Sequence, residues 1–184
     1  MRMQVLTISI AVAFGATLGV LYAQRSPERN TALITGQDYY EIMQMYTLFN
    51  WGWDYRDTDM FVSAYAADGR STNRRNNWNI NGHKEIREWR QKGWAGQTGD
   101  SKIRHLMPLP GSWQVLGPAS EGGIRVRYWW AILNTENPPR IDSTGWAEDI
   151  LMKTAEGWKI KLHDVHIDVD RDMPPAPDSV SVTK

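Results

Sequence analysis

Asp54 is the first residue whose surroundings suggest chemistry. The stretch Phe49-Asn50-Trp51-Gly52-Trp53-Asp54-Tyr55-Arg56-Asp57 sets one carboxylate among large aromatics, and a second carboxylate, Asp57, opens the next apolar segment. A carboxylate packed among indoles is desolvated, which suits it to accept a proton in a dry pocket. The same residue type also caps helix ends and shapes turns, so this stretch leaves both roles open. His105 is the second candidate. In Ile103-Arg104-His105-Leu106-Met107 an alternation of two places Ile103, His105 and Met107 on one strand face and Arg104 on the other, so His105 shares its face with apolar groups. A core histidine hydrogen-bonded to a neighbour is the alternative.

Other polar and aromatic groups take supporting places. Tyr46, Phe49, Trp53, Tyr128 and Trp130 are candidates to contact a substrate, and the same residues serve equally as core packing. Glu148 shares a strand face with Trp146 and Ile150 and is a possible third polar group of a site; otherwise it is an exposed residue beside an interface. His163 and His166, three apart, fall on opposite faces of a regular strand, so one metal cannot take both without a bulge. The pairs His163-Asp164 and His166-Asp168 read as surface pairs, His83 as exposed, and no metal is expected.

The elements that position these residues follow from pattern. Thr35-Gly36-Gln37-Asp38 matches a capping box, so a helix should begin near Gly36, with Ile42, Met45, Tyr46 and Phe49 facing the core and Trp53 continuing the stripe. Thr58 caps a second helix, with Met60, Phe61, Ala64 and Tyr65 as its apolar face and Ala67-Asp68-Gly69 as its end. Arg70 to Asn79 reads as a loop or irregular strand. Asn81 caps a third helix, Gly82 to Lys92, burying Ile86 and Trp89, and the glycines of Gly93 to Ser101 suit a mobile, lid-like loop.

Past residue 102 the period becomes two. Short strands at Ile103 to Met107 and Trp113 to Leu116 precede longer ones at Ile124 to Leu133, Thr144 to Lys153 and Trp158 to Asp168, the last pair joined by a turn at Ala155-Glu156-Gly157. In Ile124 to Leu133, Tyr128 and Trp130 share one side and Trp129 takes the other. Helices followed by a meandering sheet give an α+β class, with the helices packed on a strongly curved, mostly antiparallel sheet that encloses a cone-shaped cavity.

Composition bounds the function. The 184 residues suit one domain, and 21 basic against 21 acidic residues leave no global field to hold nucleic acid. Ten tryptophans against three phenylalanines favour a large aromatic-lined interior or a sticky face, either of which would hold an apolar ligand. The lack of cysteine excludes disulfides, thiolate nucleophiles and cysteine-ligated metals. Met1 to Ala23 has Arg2 followed by an uncharged apolar run, the pattern of an export signal, with an uncleaved membrane anchor as the alternative. Both place the domain outside the cytoplasm, in the periplasm or beyond the cell. Residues 24–34 read as a linker, 35–169 as the domain, and 170–184, with Pro174, Pro175 and Pro177, as a disordered tail.

The ordered set D-Y-R-D-T-D-M-F, A-A-D-G, I-N-G-H-K-E-I, I-R-H-L and E-G-W-K-I-K, spread over Thr35 to Asp168, resembles SnoaL-like proteins of the nuclear-transport-factor-2-like superfamily. The resemblance implies a cone-shaped α+β barrel, often a homodimer or homotrimer, that holds a small hydrophobic or aromatic molecule without a cofactor. Relatives include dehydratases, polyketide cyclases, ketosteroid isomerases and noncatalytic dioxygenase subunits. In the dehydratase-like members an aspartate at the end of the first helix and a histidine of the R-H strand act together, and those positions match Asp54 and His105. The chain departs from the pattern at Phe49, where many relatives carry tyrosine, and at Pro108-Leu109-Pro110, where asparagine is usual.

Two readings follow. One is a cofactor-independent lyase or isomerase, in which removing a proton beside a carbonyl and expelling a β-hydroxyl requires a base, a donor to the departing oxygen and a dry cavity. The other is a binding or accessory module with the same cavity and no chemistry; an export signal disfavours its dioxygenase-subunit form.

Overall fold

A computed structural model describes residues 33–73, 75–96, 104–109, 112–135 and 137–168. The chain divides after Ala32, and everything below concerns the second unit. The expected export signal, nearly all of the linker, the tail from Asp170, the stretch 97–101 of the expected lid, and Ile103 lie outside the described residues.

Helix α1, Gly36–Tyr55, starts on the capping box: Thr35 Oγ1 accepts from the Asp38 N–H at 3.0 Å and the Asp38 carboxylate accepts from the Thr35 N–H at 2.9 Å. Lys153 Nζ at 2.7 Å and Trp158 Nε1 at 3.0 Å also donate to Asp38, so one carboxylate ties the helix start to the end of the sheet. Ile42, Met45, Tyr46 and Phe49 are buried on the face the periodicity predicts. Helix α2, Thr58–Ser63, is capped by Asp57, whose Oδ1 accepts from the Met60 N–H at 2.9 Å; the cap lies one residue before the expected Thr58. The two helices meet at Gly52, where a Cβ would stand 2.4 Å from the Phe61 backbone nitrogen.

Helix α2 does not continue to Gly69. The Ala64 carbonyl accepts from the Ile160 N–H at 2.9 Å, which takes the chain into the sheet as strand β1, Tyr65–Asn73. β1 pairs antiparallel with β2, Trp78–Asn81, so the stretch expected as a loop or irregular strand is strand at both ends. Helix α3, Gly82–Ala95, begins at Asn81, whose backbone N–H donates to Glu85 at 2.8 Å in place of a side-chain cap. Its inward stripe is Ile86, Arg90 and Trp94, at intervals of four, with Trp89 only half-buried.

Strands β3 (Arg104–Pro108), β4 (Gln114–Pro118), β5 (Ile124–Asn134), β6 (Arg140–Thr154) and β7 (Gly157–Ile167) complete one seven-stranded sheet. Its order is β2-β1-β7-β6-β5-β3, with β4 also paired to β5; the β1–β7 pair is parallel and the rest antiparallel. The sheet is curled and open rather than a closed barrel. Register sets its concave face in rows: Val126, Asp149 and His163; Tyr128, Ala147 and Val165; Trp130, Gly145 and Ile167. A register shift places Leu151 opposite Ile160 but Ile150 opposite Leu162, so Lys161 is an extra residue. Trp158 and Ile160 are buried before it; after it the inward parity passes to His163, Val165 and Ile167.

Candidate active site

Between the helices and the concave face lies a cavity of about 140 Å³. Phe49, Asn50 and Trp53 of α1, Phe61 of α2, and Trp89 and Arg90 of α3 form one side. Tyr128, Trp130 and Ile132 of β5, His163, Val165 and Ile167 of β7, and Leu106 and Pro108 of β3 form the other. Thus Phe49, Trp53, Tyr128 and Trp130 line the cavity, as their stripes predict. Trp130 lies over Gly145, where a Cβ would come within 2.5 Å of the indole ring and 2.0 Å of the His166 carbonyl oxygen; only glycine leaves room for this wall. A second pocket, of about 240 Å³, adjoins it through Asn50, Pro108 and Tyr128, and Tyr46 lines that one.

On the cavity wall His163 is a titratable group held by a buried carboxylate, Asp149, which does not itself line the cavity. Nδ1 of His163 lies 2.8 Å from Asp149 Oδ1, Tyr46 donates its hydroxyl to Asp149 Oδ2 at 2.7 Å, and the Tyr128 hydroxyl stands 3.4 Å from the same oxygen. Asp149 is fully buried and His163 8% exposed, and hydrogen-bond partners surround the buried carboxyl group. Burial first, then the Asp149 charge, pushes the Tyr46 hydroxyl well above its ordinary range, and Tyr128 shifts up for the same reasons. Both phenols therefore stay protonated, and Tyr46 remains a donor. A carboxylate only accepts, so Nδ1 is the N–H donor, and in the neutral ring Nε2 carries the lone pair. Phe49 and Tyr65 pack edge-on against the imidazole, at 5.2 and 6.4 Å between centroids. The arrangement holds a fixed imidazole on the wall of an apolar cavity, a geometry suited to proton abstraction.

Asp54 and His105 also meet. His105 Nδ1 is 2.9 Å from Asp54 Oδ2, and Asp54 Oδ1 accepts from the Leu106 N–H at 3.0 Å. The pair does not line either pocket. Leu106 and Pro108 turn inward on β3, which sends His105 and Met107 outward, opposite to the apolar face expected for them. The His105 side chain is 49% exposed. Asp54 thereby clamps the free edge of β3 to the end of α1.

Three other expectations need correction. Glu148 faces away from the cavity, 2.8 Å from Arg127 and 3.8 Å from Arg125 on the convex side of the sheet. His163 is no surface partner of Asp164, because the extra residue at Lys161 turns it inward. Asp164 instead takes the Thr72 hydroxyl at 2.7 Å and His166 at 3.2 Å, while Asp168 takes the Thr144 hydroxyl. His166 stacks on Trp146 at 3.7 Å. His83 is half-buried and bonds the Tyr65 carbonyl oxygen at 2.9 Å. The signal that could have found His163 was a second aspartate on a neighbouring strand, read with a one-residue bulge.

The sequence pattern of the SnoaL-like domain matches residues 35–164. The chain belongs to the SnoaL-like family. No curated protein matches this SnoaL-like chain. Among solved structures it is similar to ActVI-ORFA from Streptomyces coelicolor, at 18% identity and a TM-score of 0.61 over 73% of this chain and 98% of that one. A protein of unknown function with a cystatin-like fold from Nostoc punctiforme gives 16% identity and a TM-score of 0.61 over 74% and 95%. A nuclear-transport-factor-2-like protein from Novosphingobium aromaticivorans gives 15% identity and 0.59 over 77% and 86%. At these identities the likeness is one of fold.

Proposed function

We propose that the chain is a cofactor-independent lyase or isomerase acting on a small cyclic or aromatic molecule in the cavity between the helices and the concave face. The observation that carries the reading is His163 on that wall, held by the buried Asp149. Asp149 fixes the tautomer, Nε2 of His163 takes a proton from carbon beside a carbonyl, and the aromatic walls keep water out. In a dehydration the proton leaves with the β-hydroxyl as water; in an isomerisation it returns to another carbon. The 2.9 Å Asp54–His105 contact supports a second reading, in which that pair is the base and works from outside the lined cavity. A homodimer or homotrimer belongs to the same proposal, supported by exposed Leu48, Trp51 and Tyr55 along one side of α1. So does export, on the pattern of Met1 to Ala23.

Ring opening of 5-nitrobenzisoxazole tests proton abstraction without knowledge of the natural substrate: a base removes the ring C–H proton, the N–O bond breaks and a cyanophenolate is released. The wild-type chain should catalyse it, and His163→Gln should lower the rate about a hundredfold or more, the scale of a positioned general base. Equal rates in folded wild-type and His163→Gln protein would remove His163 as the base, and a wild-type rate no higher than buffer alone would leave a noncatalytic binding module.

A further inference from the structure

Arg90 is a buried cation without a counter-charge among the described residues. It is 8% exposed, projects from the inward stripe of α3 into the cavity wall, and its Nε and Nη1 have no hydrogen-bond partner among the described residues. Its guanidinium lies 3.7 Å from the Trp89 ring centroid and 4.4 Å from that of Trp53, so aromatic faces hold it in place. Ring faces attract a cation but accept none of its in-plane N–H donors. Burial pulls its pKa down to about 10, which leaves it charged at neutral pH. An uncompensated buried charge costs several kcal/mol unless something pairs with it.

Two further donors on the wall add to this imbalance, beside the unpartnered hydroxyls of Tyr65 and Ser71, which can donate or accept. Among the described residues the indole N–H groups of Trp78 and Trp130 are buried without acceptors, and neither aspartate nor glutamate lines the cavity. Guanidinium and indole donate only. The missing partner is therefore an anion rich in acceptor oxygens, and the planar guanidinium fork matches a carboxylate. Size restricts the remainder of the molecule: about 140 Å³ is close to the roughly 150 Å³ cavity that holds one benzene ring.

We infer that the cavity binds a single-ring aromatic or alicyclic carboxylate, with the carboxylate on Arg90 and the ring between the aromatic walls. This names the substrate class of the proposed proton-transfer site and rests on that reading for the ligand being a substrate; the binding itself does not depend on turnover.

Benzoate and its neutral isostere benzamide are the probes, with affinity read by calorimetry at neutral pH on the full chain. Wild-type protein should bind benzoate at least tenfold more tightly than benzamide. Arg90→Met should abolish that preference, Arg90→Lys should keep only part of it, and the exposed-cation control Lys84→Met should leave it intact. Equal affinities in the wild type, no binding of either probe, or a preference surviving in Arg90→Met would each overturn the inference. The wild-type ratio decides even where Arg90→Met does not fold. A benzoate preference in a protein inert toward 5-nitrobenzisoxazole would sink the catalytic reading and leave this one standing.

Discussion

His163 and Asp149 are register partners on neighbouring antiparallel strands, and their side chains meet at 2.8 Å inside the fold. Their rotamers are set by the sheet and by the phenol of Tyr46, which arrives from α1 to occupy the second carboxylate oxygen. The imidazole is therefore oriented by secondary structure before any ligand enters.

Tyr46→Phe removes one donor from a fully buried carboxylate. It should destabilise the protein by about 1–3 kcal/mol, the cost of stranding a buried polar group. Chemical denaturation measures it, and an unchanged midpoint would show that Asp149 does not depend on the phenol.

Asp38 is held well below the usual carboxylate range, chiefly by Lys153 and then by the Thr35 backbone and hydroxyl and the Trp158 indole. A depressed folded value contributes stability above the usual carboxylate range and loses it as pH falls toward the folded value. Asp38→Asn should therefore lower the melting temperature at pH 7, and the gap from wild type should narrow below about pH 4. Parallel melting curves down to strongly acidic pH would contradict this.

Gly52→Ala forces a Cβ against the Phe61 backbone at the crossing of α1 and α2. Overpacking of this kind costs about 1–3 kcal/mol. Thermal unfolding should show a clear drop, and a neutral result would mean the two helices are not held this closely.

Export is testable on protein from its natural source. N-terminal sequencing should start at or near Gln24. An intact Met1 in the soluble cytoplasmic fraction would contradict the reading.

Much of the frame was legible because it rests on local signals. The capping box at Thr35 and Asp38, the stripe from Ile42 to Phe49, and the alternation placing Tyr128 and Trp130 together all reappear. What was not legible depends on long-range contacts. Met60, Phe61, Ala64 and Tyr65 continue a helical spacing, yet the Ile160 N–H captures the Ala64 carbonyl and the chain becomes a strand. The bulge at Lys161 reverses the parity of β7 and hides His163. Arg90 occupies a core position of α3 that a search for apolar periodicity passes over. The Asp54–His105 contact was legible from the family pattern, whereas its position outside the lined cavity follows from Leu106 turning inward.

The measurement that bears most directly on the central claim compares the two Asp–His pairs in one assay. Rates of 5-nitrobenzisoxazole ring opening are taken for Asp149→Asn, His163→Gln and their double variant, and for Asp54→Asn, His105→Gln and theirs, with thermal unfolding alongside. If Asp149 and His163 act as one unit, each single change costs about a hundredfold or more and the double costs little beyond the worse single, while the Asp54 and His105 variants stay within about threefold of wild type. Full activity in folded His163→Gln, with the loss appearing instead in Asp54→Asn and His105→Gln, would contradict the account and move the chemistry to the other pair.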